Sequence, residues 1–263
     1  NILNQHIPAA NLPGNFYEVT QAEPYDTDEY QIKVDHVLTP SHQLTASYFR
    51  DEGTSLESLA GNLIWSQRQF QWTQQNLNVS DTWTISPTAI NQLRLTYLRN
   101  FGGRLNLPEM SLADFGSGFQ IQGQPSLPQI QVSGYFNLSQ GIAGPTAGSN
   151  YYGIRDTFTW TRGNHSLKFG GDFYLEKFIH DTTLNNYGTF SFNSSITNNA
   201  LADFLLGRPV TMNQDAPVTK IDNVWYGGFF IQDDWRLHPR LTLNLGLRYD
   251  LQSPATDPYD RKL

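Results

Sequence analysis

Cysteine is missing from all 263 residues, which excludes a disulfide framework without fixing the compartment. Charge is sparse, at 16% of residues with a net of −7. No run of Lys or Arg interrupts it, which argues against a nucleic-acid partner. No apolar run approaches the roughly 18 to 20 residues a membrane helix needs. The chain opens on Asn1 without a basic segment leading into an apolar one, so no signal peptide is expected. Helical periodicity is almost absent. So are HExxH, GxSxG, the P-loop and the Rossmann glycine pattern, so neither an enzyme nor a cofactor is expected. The acidic run Asp26, Asp28, Glu29 lacks the spacing of a calcium loop. His42, His165 and His238 sit in short turns, where they read as ordinary polar residues rather than metal ligands.

Aromatic residues, by contrast, are abundant: six Trp, 13 Tyr and 16 Phe are spread along the chain, which speaks against disorder. Period-2 alternation recurs with them. Four segments each read as two strands joined by a short turn, at Thr39-Pro40-Ser41-His42, Ser86-Pro87-Thr88, Arg162-Gly163-Asn164-His165 and His238-Pro239-Arg240. Pro, Gly and Asn supply the backbone angles such turns require. Aligned on their turns, the hairpins form an internal repeat. The connections between them, about 50–66, 100–150 and 179–222, are rich in Gly, Ser and Asn, with one short helix expected at Ala200–Leu206. Short turns at one end and long loops at the other mark an outer-membrane barrel.

A soluble β-sandwich would also alternate, but its strands are mostly about 5 to 6 residues long. Here the pattern persists over about 9 to 14, enough to cross a membrane at a tilt. Trp83, Trp160 and Trp235 lie just before the short turns, where they are expected to form the lower interface girdle. Tyr97, Phe173 and Tyr249 are expected to form the upper one. The alternate face, with Lys33, Asp35, Arg94, Lys168, Asp172, Arg248 and Asp250, is expected to line a wet lumen. Asp81, Asp156 and Asp233 fall in the outward register, either near the interface, where charge costs little, or at a bulge such as one between Asp233 and Asp234.

The stretch YGGFFIQDDWRLHPRLTLNLGLRYD, Tyr226 to Asp250, resembles barrel strands of TonB-dependent outer-membrane receptors, in particular the Oar-like group abundant in acidobacteria. Glu29 to Asp51, Thr159 to Phe173 and Ala200 to Pro209 are similar to neighbouring parts of the same barrels. The resemblance implies a bacterial outer-membrane location and an all-β, antiparallel up-and-down transmembrane barrel. It also implies 22 strands in the whole, an N-terminal plug and energy delivered through TonB. Residues 1–263 would then be a partial barrel of about eight strands without a plug, meeting the TonB system only through the missing domain.

The expected partners are outer-membrane lipid and a bulky nutrient of the siderophore, cobalamin, glycan or peptide class. Tyr135, Phe136, Tyr151, Tyr152, Tyr187 and Trp225 are candidate ligand contacts on exposed loops, since loops on a rigid scaffold usually carry binding. Two other readings stay open: a self-contained eight-stranded barrel serving as adhesin or anchor, and a secreted sugar-binding sandwich.

Overall fold

The structure is a computed structural model that describes residues 7–58, 63, 66–138, 147–182 and 186–259. Its elements in chain order are β1 (Tyr25–Thr39), β2 (His42–Ser58), β3 (Gln67–Ser86), β4 (Ala89–Leu107), β5 (Gln129–Val132) and β6 (Phe136–Leu138). There follow β7 (Ala147–Arg162), β8 (His165–Thr182), β9 (Thr189–Phe192), α1 (Ala200–Leu205), β10 (Thr211–Asn213), β11 (Val218–His238) and β12 (Leu241–Gln252). The eight long strands form one antiparallel sheet in the order β1-β2-β3-β4-β7-β8-β11-β12, each beside its predecessor. This is the expected up-and-down arrangement, with β1 and β12 as edges, so the sheet is not closed.

All four turns fall where proline and glycine predict them. Pro40, Pro87 and Pro239 each follow a register shift that leaves Leu38, Ile85 and Leu237 without a cross-strand partner. The extra residue is a β-bulge. It accompanies the turns whose proline fixes φ near −65° and cannot supply the positive φ of a primed hairpin turn. The Gly163-Asn164 turn has Gly163 at φ +61° and needs no bulge.

The strands run further than their composition predicts. β2 reaches Ser58, β4 reaches Leu107 and β11 begins at Val218, well inside the expected loops. Glycine weakens a strand because it offers no side chain to pack. Here aromatics of adjoining strands cover the gaps. Trp72 lies over Gly53, Phe101 packs against Gly148, and a Cβ at Gly102 would lie 2.8 Å from Phe70 Cζ.

Among the described residues, parts of the remaining connections are folded together. β5 pairs with β9 in parallel, so that two distant loops share a four-stranded sheet, β10-β9-β5-β6. Helix α1 is the one expected near Ala200. Asn199 caps its N-terminus by accepting from Ala202 N, and Gly207 follows it at φ +63°. Phe204 meets Phe136 and Phe192 edge-on at 5.5 and 5.4 Å. Leu127, Ile130, Val132 and Leu138 complete a small core. Asn106 at the end of β4 donates to Ser126 Oγ at 2.8 Å, both side chains being buried, and ties this cap to the wall.

Burial is therefore distributed in reverse of a soluble domain. The deepest apolar side chains, Leu138 and Leu127, are in the small cap. The large sheet leaves Leu247 73% and Ile32 and Phe229 each 65% exposed. No second sheet covers that face among the described residues, so the sandwich reading fails.

Candidate functional site

The register sorts the long strands into two faces. Opposed residues share a face. Leu77 faces Tyr48 and Tyr97, Leu95 faces Ile154, Phe158 faces Phe169, and Ile231 faces Leu247. One apolar face thus runs unbroken from β1 to β12. Trp83, Trp160 and Trp235 lie on it near the turns, and Tyr97, Phe173 and Tyr249 lie on it farther up, as the alternation predicts. Tyr152 and Trp225, expected on loops, belong to this face too: Tyr152 stands opposite Tyr97, with ring centroids 5.3 Å apart, and Trp225 stands opposite Leu175. Both lie within strands because the strands extend beyond their expected ends.

Of the two alternatives for the outward-register aspartates, the bulge is not what the ladder shows. Asp233 and Asp234 pair in unbroken register with Leu245 and Asn244. Each carboxylate instead meets a donor from the preceding hairpin. His42 Nδ1 donates to Asp81 Oδ2 at 2.8 Å, Asn91 Nδ2 to Asp156 Oδ1 at 2.8 Å, and His165 Nδ1 to Asp233 Oδ2 at 2.6 Å. In every case the donor stands opposite the aromatic two residues beyond the aspartate: Trp83, Phe158 or Trp235. His42 and His165 also stack on their tryptophans, at 5.2 Å and within 16° of parallel. Every seam between hairpins carries this clamp.

The opposite face is polar and carries both signs. Lys33 pairs with Asp35 at 3.1 Å, and Thr45 donates to Asp35 at 2.6 Å. Arg248 bridges Asp250 at 2.9 Å and Asp172 at 3.1 Å, and donates to Tyr226 Oη at 2.7 Å. Gly228 makes room for that guanidinium, since a Cβ there would lie 2.5 Å from Arg248 Nη2. Tyr151, Tyr174 and Tyr226 form a ladder with centroids 4.9 and 4.8 Å apart. Arg94 lies directly opposite Arg155, and together with Tyr151 and Asp172 they line a recess of about 210 Å³. Lys168 lies on the same face, opposite Gln232. Tyr151 is thus a wall residue, not a loop residue.

Of the expected loop contacts, only Tyr135 is an exposed loop aromatic; its hydroxyl accepts from Asn199 Nδ2 at 2.9 Å. Phe136 and Tyr187 are corrections: at 8% and 3% exposure they are buried, Phe136 within the small core of the cap. Cap formation needs apolar side chains that look, in sequence, like exposed loop aromatics. Among the described residues no cluster of His, Cys, Asp and Glu could hold a metal ion.

An antiparallel meander with one exposed apolar face, one charged wet face, short turns and a folded cap defines an outer-membrane β-barrel wall. The chain matches the outer membrane beta barrel domain family over residues 1–262 and belongs to it. Its place is the bacterial outer membrane. No curated protein and no solved structure matches the chain.

Proposed function

We propose that the chain is part of the barrel of a TonB-dependent, Oar-like receptor that takes up a bulky nutrient of the siderophore, cobalamin, glycan or peptide class. The observation that carries this reading is the polar face. Its tyrosine ladder and its network of Arg248, Asp172 and Asp250 give a large solute both stacking surfaces and hydrogen-bonding groups. A wall built only to anchor has no need of them. In this reading the apolar face meets lipid, the Trp and Tyr rows mark its two interfaces, and Lys33, Asp35, Arg94 and Lys168 wet the lumen. The resemblance of four segments to such receptors supports the same conclusion.

The experiment is uptake by the source bacterium with the gene deleted, measured for labelled members of the four nutrient classes with and without a protonophore. Loss of protonophore-sensitive uptake of one class is expected. Unchanged uptake of all four overturns the transport role.

A further inference from the structure

On the apolar face of the eight strands, Lys or Arg occupies four positions. Arg162 adjoins a turn; Arg50, Arg99 and Lys177 stand just past the tyrosines. Between these levels the face carries no cation. Arg50 is already engaged by Glu52, its Nε donating at 3.0 Å. Arg99 and Lys177 differ: the ion pairs of the described residues engage neither of them.

Both are nevertheless held in place. Asn150 on β7 stands directly opposite each of them, Arg99 on β4 and Lys177 on β8. Asn150 Oδ1 accepts from Arg99 Nη1 at 3.2 Å and from Tyr97 Oη at 3.0 Å. The Arg99 guanidinium lies 4.1 Å from the centre of the Phe101 ring, and Lys177 Nζ lies 6.0 Å from that of Tyr152. Two strand spacings separate their backbones, about 9.6 Å, so two long side chains can close on one anion between them. The next residues outward on these strands, Phe101, Gly148 and Ile179, carry no charge.

We propose that Arg99 and Lys177, with Asn150 between them, bind the phosphate of an outer-leaflet lipid headgroup. The level decides the ligand. The tyrosines Tyr97 and Tyr152 sit at the depth such rings favour, where apolar chains give way to headgroups, and the cations begin at the next position. A phosphate tethered to acyl chains is delivered to that depth, and charge-assisted bonds from Arg and Lys match it. The inference rests on the apolar face meeting lipid, but not on the transport role, so an unchanged uptake assay leaves it standing.

The test uses the full protein in nanodiscs of neutral lipid, loaded with lipid A or with its dephosphorylated form, and native mass spectrometry of the retained lipid. The wild type and Arg50→Gln should retain lipid A equally. Arg99→Gln/Lys177→Gln should retain at least tenfold less, with its heat-modifiable gel mobility unchanged. Equal retention by the double variant, or equal retention of the dephosphorylated lipid by the wild type, overturns the proposal. Displacement of lipid A by millimolar inorganic phosphate would assign the site to a free anion and overturn it as well. If the double variant does not fold, Lys177→Gln alone, at an exposed position, makes the same comparison with a smaller loss expected.

Discussion

Removing the imidazole of His165 isolates Asp233. Its Oδ2 loses the 2.6 Å bond, and its Oδ1 is already buried without a partner among the described residues. Hydrogen bonds to a charged group are worth about 1.5–3 kcal/mol, and a carboxylate left without a partner near the interface of a lipid face costs about 0–1 kcal/mol more. His165→Ala should therefore lose about 2–4 kcal/mol of folding stability. Asp233→Leu should lose less, because it removes the charge along with its partner's bond. The double variant should lose less than the sum of the two, with a coupling of about 0.5–3 kcal/mol. Urea titration of the protein in lipid vesicles, followed by tryptophan fluorescence, reads all three values, and Trp235 stacked on His165 gives a local signal. Additive losses, with coupling below about 0.3 kcal/mol, would refute the clamp. Asn91→Ala supplies a further comparison: it removes the donor to Asp156 at the neighbouring seam and should cost about 1.5–3 kcal/mol.

Gly228→Ala forces the added methyl against Arg248 and should cost about 1–3 kcal/mol by overpacking, read as a lower urea midpoint; no change would mean that the guanidinium has room to move. Leu138→Ala, at a fully buried site of the cap, should cost about 2–5 kcal/mol locally. Hydrogen exchange should then rise in β5, β6 and β9 while β11 and β12 stay protected. Asp203 is held below the usual carboxylate range, chiefly by the Thr197 hydroxyl, which donates at 2.6 Å. A carboxyl with a depressed folded-state pKa contributes stability that is present above its unfolded value of about 3.9 and is lost as pH falls through the folded one. The segment around α1 should accordingly resist proteolysis at pH 7 and become susceptible well below pH 4 to an acid-active protease, while Asp203→Asn should flatten that dependence.

The turns and the two faces were legible because both are local signals. Proline and glycine mark Pro40, Pro87, Gly163 and Pro239, and a period of two fixes which side chains share a face. The upper reaches of the strands were hidden because their stability is borrowed. Gly53 and Gly102 read as loop, and the rings of Trp72 and Phe70 that cover them come from other strands. The cap was hidden for a similar reason: β5 and β9 are short, polar at alternate positions, and joined in parallel across a wide sequence gap. Phe136 gave no sign of burial because Phe204, which packs against it edge-on, is remote in the chain. The clamps lay between these extremes. Asp81, Asp156 and Asp233 stood out by their register, and His42 and His165 by their place in the turns, yet each bond joins one hairpin to the next. A search for His or Asn shortly after one turn, followed by Asp shortly before the next, would have found all three.

Beyond the pair Leu77 and Tyr97, β3 and β4 continue for about ten residues. At about 3.3 Å per residue and a tilt near 40°, that amounts to roughly 25 Å along the membrane normal. With Tyr97 at the proposed outer interface, β3 and β4 would therefore rise above the apolar band by about its own height, and the cap, tied to Asn106, would ride at the end of that collar. On that placement, a solute, an antibody or a phage approaching this part of the wall would meet folded protein roughly 25 Å before it reached the apolar band.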